Sequence, residues 1–244
     1  MAQKQPVSSP WWYRRRDAVF GMIYGAGFFL GGVLSGFLRG GYVPFYIDLA
    51  ARLHTGRAVT GAAAAAFMFA GWALRVWGSS YLRARIVWSE NARTDALIVA
   101  GPFRYTRNPL YLGNMLMALG MGAIAPAAGW LFINLGTLIF NIALIRWEEL
   151  GLRARYGEAF DDFCRKVPQL LPRLLLAPAS GRVDPSLAEG LRAEIFVGSL
   201  SIGMVVLLLR PGMYGWVTFA VLYVLGIVLQ YRVAGAKEKT EQVA

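Results

Sequence analysis

Between Pro109 and Ile145 the chain runs for 37 residues without an Asp, Glu, Lys or Arg. The hydrocarbon core of a bilayer is about 30 Å thick and takes about 20 helical residues, so this run holds two crossings rather than one. Pro126 interrupts it, and a proline inside a helical pattern ends the helix before it. The run is predicted to be a helical hairpin with its tip near Ala125-Pro126. Four more uncharged runs accompany it: Ala18 to Leu38, Ala58 to Leu74, Ile195 to Leu209 and Pro211 to Tyr231. The last two flank Arg210 and read as a second hairpin, although 15 residues is short for the first of them. These runs give six spans. The fold class expected is all-α, a polytopic integral membrane helical bundle of about six transmembrane helices.

Composition supports that reading. Hydrophobic residues make up 57% of the 244 and charged ones only 16%, with a mean hydropathy of +0.46. A soluble domain of this length could not bury so much apolar surface in one core. The hydrophobicity excludes disorder, and the single Cys164 excludes a disulfide scaffold. The first run is longer than the apolar region of a cleaved signal peptide and is expected to be retained.

A net charge of +11 and a pI near 10.1 would suit a nucleic-acid binder if the basic residues shared one soluble face. They alternate along the chain instead. With a cytoplasmic N-terminus, twenty-one Lys and Arg fall in segments that stay in the cytoplasm. Four, Arg39, Arg52, Arg57 and Arg210, fall on the other side. Lys and Arg resist translocation, so this split places both termini in the cytoplasm and accounts for the charge without nucleic acid. Three regions follow: residues 1–80 with two spans, 81–173 with the hairpin 109–145, and a two-span C-terminal extension, 174–244, for which only packing readings offer themselves.

Two segments on the cytoplasmic side carry chemistry. The first, Ser89 to Asn114, has no long helical period and holds the turn signals Gly101-Pro102 and Asn108-Pro109. Asn108 reads as an N-cap and Pro109 as the first helical residue. A helix start at the membrane surface offers N–H groups and a partial positive charge to a carboxylate or phosphate. The plainer alternative is an interfacial loop whose Arg104, Tyr105 and Arg107 touch lipid headgroups. The second segment, Arg146 to Pro172, puts Glu148 and Glu149 at the end of the fourth span, where carboxylates are costly unless partnered. Glu149 and Arg153 are spaced to pair, and Glu148, Leu152 and Arg155 share a face. An ion-paired helix end therefore stands against a carboxylate that faces a cavity, as partner of a cation or as proton acceptor. Tyr156-Gly157, Phe160 and Phe163 add aromatics able to wall an apolar or cationic ligand.

Taken together, the two segments resemble the integral-membrane methyltransferases of the isoprenylcysteine carboxyl methyltransferase and phospholipid N-methyltransferase group. The likeness rests on Gly101-Pro102-Phe103-Arg104-Tyr105 and Arg107-Asn108-Pro109-Leu110-Tyr111-Leu112-Gly113. About 35 residues later come Glu148-Glu149, then Tyr156-Gly157, Phe160, Phe163, Val167-Pro168 and Leu171-Pro172-Arg173. The resemblance implies S-adenosylmethionine as methyl donor, S-adenosylhomocysteine as product and no metal. It implies a membrane lipid or other apolar acceptor, such as a phospholipid amine or an isoprenoid-type carboxylate, and a bacterial inner membrane with the site on its cytoplasmic side. Carried over by position, the cofactor-binding residues are Gly101, Tyr105, Asn108, Pro109, Tyr111, Leu112, Gly113, Glu148 and Glu149; catalytic roles fall to Glu148, Glu149 and Arg107. Two positions depart from the pattern: Asn108 stands where the group usually has histidine, and Phe163 where tyrosine is usual.

Methyl transfer from a sulfonium is a displacement that needs alignment, not a metal or a covalent nucleophile. With His54 as the one histidine, on the side opposite both motifs, and Cys164 as the one thiol, a zinc site, a Cys-His dyad and a Ser-His-Asp triad are excluded. A membrane NADPH-dependent reductase of steroid-reductase-like architecture shares the Pro-x-Tyr-x-Gly turn, but the Glu148-Glu149 and Tyr156-Gly157 spacing favours the methyltransferase. A non-catalytic lipid-binding or transport protein would place ionisable groups near mid-bilayer or pair two broken helices, and the spans carry almost no such groups.

Overall fold

The uncharged runs become helices, but the charges that bounded them do not end them. The computed structural model describes residues 9–82, 99–173, 184–210 and 212–243. After a single turn at Trp11–Arg14 come α1 (Arg16–Arg39), α2 (Phe45–Arg52) and α3 (Arg57–Leu82). A 3₁₀ turn at Gly101–Arg104 leads to α4 (Pro109–Gly122), α5 (Ala127–Tyr156) and α6 (Glu158–Lys166). The C-terminal part holds α7 (Leu187–Ala193), α8 (Ile195–Leu209) and α9 (Met213–Val243). α3 runs on past Arg75, and α5 runs on past Arg146, Glu148 and Glu149 to a length of 30 residues. At about 1.5 Å per residue α5 is about 45 Å long, so its last turns and the glutamates emerge beyond a bilayer core. Residues 89–98 of the first motif segment and 177–183 of the extension lie outside the described residues.

Among the described residues, four helices are long and apolar enough to cross a membrane: Arg16–Leu38, Arg57–Leu82, Ala127–Tyr156 and Met213–Val233. α7 and α8, bent by 67° at their junction, make a fifth if they count as one broken span. The protein is an all-helical integral membrane protein, with large apolar side chains such as Phe29, Phe37, Ile139 and Val221 on its outside. The expected count of six is not met, because α4 has only 14 residues, a length of about 21 Å against a core of about 30 Å. The central hairpin turns early, inside the protein. Residues Gly120–Pro126 are all buried. The carbonyls this turn leaves over are taken by the connector after α1: the Phe45 and Tyr46 N–H groups donate to the Ala125 and Ala123 oxygens at 2.8 and 3.0 Å. The Tyr42 hydroxyl donates to the Ile124 oxygen at 2.9 Å. Irregular backbone is tolerated at membrane depth where protein supplies its partners, and α2 with its flanks does so here.

α4 is wedged between α3 and α5, and its contact with α3 is close. A side chain at Gly113 would lie 2.6 Å from Arg75 Cγ and 2.8 Å from the Gly71 carbonyl, so the two backbones meet there. α7 packs on the end of α3, where the Ser186 N–H donates to the Ser80 oxygen at 2.9 Å. This packing gathers the Trp11–Arg14 turn, the 101–108 loop, the end of α5 and α6 at one end of the bundle. α2 and the buried hairpin turn form the other end.

Candidate active site

The loop that enters the site is shaped by a turn only glycine makes easily. Gly101 has φ +53°, and a side chain there would strike the ring of Tyr81. The 3₁₀ turn that follows buries Pro102 and Phe103 and delivers Thr106, Arg107 and Asn108. Pro109 is the first residue of α4 and Asn108 occupies its N-cap position, as expected. The Asn108 side chain, however, does not cap the helix. It donates to the Gln169 oxygen at 3.0 Å and to Glu149 Oε1 at 3.4 Å.

Glu149 is the centre of a knot. Arg107 Nε donates to Glu149 Oε1 at 2.9 Å, and Gln169 Nε2 donates to Oε2 at 3.0 Å. The same guanidinium donates through Nη1 to the Val167 and Cys164 oxygens at 2.8 and 3.1 Å, receiving the carbonyls at the end of α6. Backbone bonds close the seam: Arg107 N–H to the Pro168 oxygen and Arg173 N–H to the Tyr105 oxygen, each 2.9 Å. The expected Glu149–Arg153 pair is therefore not formed. Arg107 reaches Glu149 from the loop, while Arg153 Nε pairs with Asp161 Oδ1 at 2.8 Å on the surface.

Glu148, one residue earlier, has different company. The hydroxyls of Tyr13 and Tyr111 both donate to its Oε1, each at 2.8 Å. Tyr13 is only 3% exposed, with the Arg16 guanidinium 5.0 Å from its ring centre. Burial first, and then the neighbouring carboxylate, hold the Tyr13 phenol well above its ordinary value, so it stays a protonated donor. Trp147 packs edge-on to Trp12 and tilted against Tyr13. An aromatic-walled carboxylate fed by two phenols is suited to a cationic group or to proton exchange. Sequence reasoning missed Tyr13, because no spacing rule links it to a glutamate 135 residues away.

Of the remaining sequence-derived positions, Tyr111 and the start of α4 stand beside the glutamates. Leu112 is half-buried, Tyr105 lies with its ring 6.0 Å from that of Trp77, and Gly101 and Gly113 are explained by packing against α3. Phe160 and Phe163 are buried and pack with Val99 and Val167, with Leu152 and Tyr156 of α5 against them.

A buried ion pair adjoins the uncharged runs, each partner lying one residue outside them. Arg75 of α3 and Glu194, at the bend between α7 and α8, form a buried pair. Nε lies 2.7 Å from Oε2, Nη2 donates to Oε1 at 3.1 Å, and the Ser79 hydroxyl adds a third bond at 2.7 Å. In the sequence Arg75 closes the uncharged run 58–74 and Glu194, 119 residues away, precedes the run 195–209. No short-range pattern could join them.

Residues 59–159 match the family described as phospholipid methyltransferase. The match begins before the motif region and ends within it, covering Gly101 to Gly113, Glu148 and Glu149. A cobalt-zinc-cadmium resistance protein of Cupriavidus metallidurans is 31% identical over 103 residues, 42% of this chain and 44% of that protein. Methanethiol S-methyltransferase 2 of Bradyrhizobium diazoefficiens is 33% identical over 72 residues, 30% of this chain and 27% of that protein. A methanethiol S-methyltransferase of Crocosphaera subtropica is 36% identical over 70 residues, 29% of this chain and 27% of that protein. The chain thus spans less than half the length of these curated relatives. No solved structure matches it at a significant level. The resemblance to membrane methyltransferases therefore holds for the central segment, residues 59–159.

Proposed function

We propose that this membrane protein, whose central segment is of the phospholipid methyltransferase type, is an S-adenosylmethionine-dependent methyltransferase acting on a lipidic or apolar acceptor. The observation that carries the reading is the convergence of the 105–109 loop on the two glutamates, with Glu149 held by Arg107, Asn108 and Gln169 and Glu148 by Tyr13 and Tyr111. The donor set fits the cofactor. A buried carboxylate among aromatic rings suits a sulfonium, and the start of α4 suits the negative end of its amino-acid part. Glu148, Tyr111 and residues Asn108 to Leu112 would hold it. When bound, S-adenosylmethionine supplies a methyl group on positively charged sulfur, transferred to the acceptor with S-adenosylhomocysteine as product.

The residues divide the work. Arg107 and Glu149 keep the loop and α6 in register. Glu148 is the anionic group placed to favour a cation or to take a proton from the acceptor, and the two phenols fix its orientation. A site reached from the bilayer side would admit an apolar acceptor. A phospholipid amine and an isoprenoid-type carboxylate fit that route, and the methanethiol S-methyltransferase relatives add a small thiol. The distribution of basic residues supports a cytoplasmic site with both termini on that side, as in a bacterial inner membrane.

The test is incubation of the purified protein with methyl-labelled S-adenosylmethionine and a membrane lipid extract, with identification of the labelled product. Calorimetric binding of S-adenosylhomocysteine accompanies it. Transfer of label and binding are expected; NADPH binding in their place would overturn the reading in favour of a reductase.

A further inference from the structure

The extension after residue 173 has no place in the functional reading so far, and the structure ties it to the site by hydrogen bonds. Glu194 has no exposed surface, and its partner Arg75 is 9% exposed. An apolar pair of similar volume would hold two helices together at no greater cost, because burying two charges costs about as much as their attraction returns. What an ion pair adds is direction. Two nitrogens of Arg75 face Glu194, and the third, Nη1, donates to Asn114 Oδ1 of α4 at 2.5 Å. Asn114 Nδ2 donates to Asn141 Oδ1 of α5 at 3.4 Å, and Asn141 Nδ2 donates to the Tyr111 carbonyl at 3.1 Å. Tyr111 then donates its hydroxyl to Glu148. Arg75 can only donate and the Tyr111 carbonyl can only accept, so each amide between them accepts on one side and donates on the other, and Glu194 acts by fixing where the guanidinium points. Glu194 is itself pinned. Its carbonyl accepts from Trp72 Nε1 at 3.3 Å and from the Gly198 N–H at 2.8 Å.

We propose that Glu194 is a positioning residue for Glu148, acting through Arg75, Asn114, Asn141 and Tyr111, so that the C-terminal helices complete the site rather than merely packing beside it. This inference rests on the reading of Glu148 as the functional carboxylate. Glu194 and Arg75 touch neither substrate nor cofactor in it. Their role is to hold the α4 backbone at Tyr111, and with it one of the two phenols on Glu148. Asn141, fully buried in the middle of α5, spends its amide on the neighbouring helix in the same cause.

The test compares Glu194→Gln, which keeps the shape and loses the charge, with Asn141→Leu, which leaves the ion pair whole and cuts the relay. Asn141→Leu carries the test alone if Glu194→Gln fails to assemble. The first readout needs no cofactor: pH-difference infrared spectra of the full chain in lipid nanodiscs, with the Glu148 carboxyl band identified by its loss in Glu148→Gln. The titratable and charged groups facing Glu148 are Tyr13 and Arg16 from the N-terminal side, Tyr111 from α4 and Glu149 on its own helix. All are kept in both variants, and Asn141→Leu changes no charge, so a midpoint moved in that variant reports the relay. The band midpoint is expected to move by about half a pH unit or more in each variant. Turnover at matched thermal stability is expected to fall about tenfold. An unmoved band in a folded Asn141→Leu protein overturns the inference. A wild-type protein that binds no S-adenosylhomocysteine and transfers no label overturns the functional reading instead, and the band still decides this one.

Discussion

The Arg107–Glu149 and Arg75–Glu194 pairs have similar N–O separations, 2.9 and 2.7 Å, and otherwise little in common. The first lies at the end of the bundle with side chains 12% and 16% exposed, joins a loop to a helix, and shares its charge with carbonyls of α6. The second lies between helices, its carboxylate wholly enclosed, and passes its orientation on to two asparagines. Near water an ion pair is a fastening that can be loosened. Away from water it is a commitment, because neither partner can be left alone without an uncompensated buried charge.

The largest effect expected from this contrast is on stability. Glu194→Ala strands the Arg75 guanidinium and should cost about 3–5 kcal/mol, whereas replacing both residues by methionine should restore most of that loss. Denaturant unfolding in detergent micelles measures both. A Glu194→Ala loss below about 1 kcal/mol would mean that water reaches the pair, and the contrast would collapse.

Next in size is a difference in rate between neighbours. Glu148→Gln should lower methyl transfer about a hundredfold, equivalent to about 3 kcal/mol, with little change in stability. Glu149→Gln should instead cost about 2 kcal/mol of stability by loosening Arg107, and less than about tenfold in turnover. Turnover and thermal denaturation of the two variants, side by side, sharpen or reverse this assignment. Near-normal rates for both would make the carboxylates structural.

A smaller effect is expected at Gly113. If its role is the contact with Gly71 and Arg75, Gly113→Ala pushes α4 from α3 and lowers stability by about 1–3 kcal/mol without abolishing S-adenosylhomocysteine binding. Loss of binding in a variant of normal stability would return Gly113 to the cofactor. The smallest effect is reserved for the surface pair. Asp161→Asn should leave the melting temperature within experimental error, since both partners of the Arg153–Asp161 pair are in water. A measurable loss there would show exposed pairs in this protein to be as costly as buried ones.

Legibility followed the range of the interaction. The helices were readable because long uncharged runs are a local property, and Asn108-Pro109 announced the start of α4 because proline's preference is local too. The approach of that loop to Glu148 and Glu149 was readable only through a motif whose two halves lie about 35 residues apart, a pattern tied to a shared chemistry. Length misled at α4. A 37-residue uncharged run was divided as if both halves crossed the membrane, whereas the connector from Tyr42 to Arg52 covers the turn and lets the hairpin fold back early. Partner choice was the least readable. The i,i+4 rule offered Arg153 to Glu149, but a guanidinium 42 residues away took its place. Tyr13 and Glu148 are 135 residues apart, with no spacing rule to connect them.

The break between α7 and α8 carries a consequence for how the chain is made. Gln230 of α9 bridges it: the Phe196 N–H donates to Gln230 Oε1 at 3.2 Å, and Gln230 Nε2 donates to the Arg192 oxygen at 3.2 Å. These ends belong to two half-helices, and the side chain that reconciles them is synthesised 38 residues after Arg192 and 34 after Phe196. Until it is made, the Phe196 N–H and the Arg192 carbonyl lack the side chain that joins them in the folded protein, and a buried polar group without its partner costs about 1–3 kcal/mol. Insertion helix by helix would pass through that state. Entry of α8 and α9 as one unit would avoid it, so a single glutamine near the end of the last span favours assembly of the last two helices as a pair.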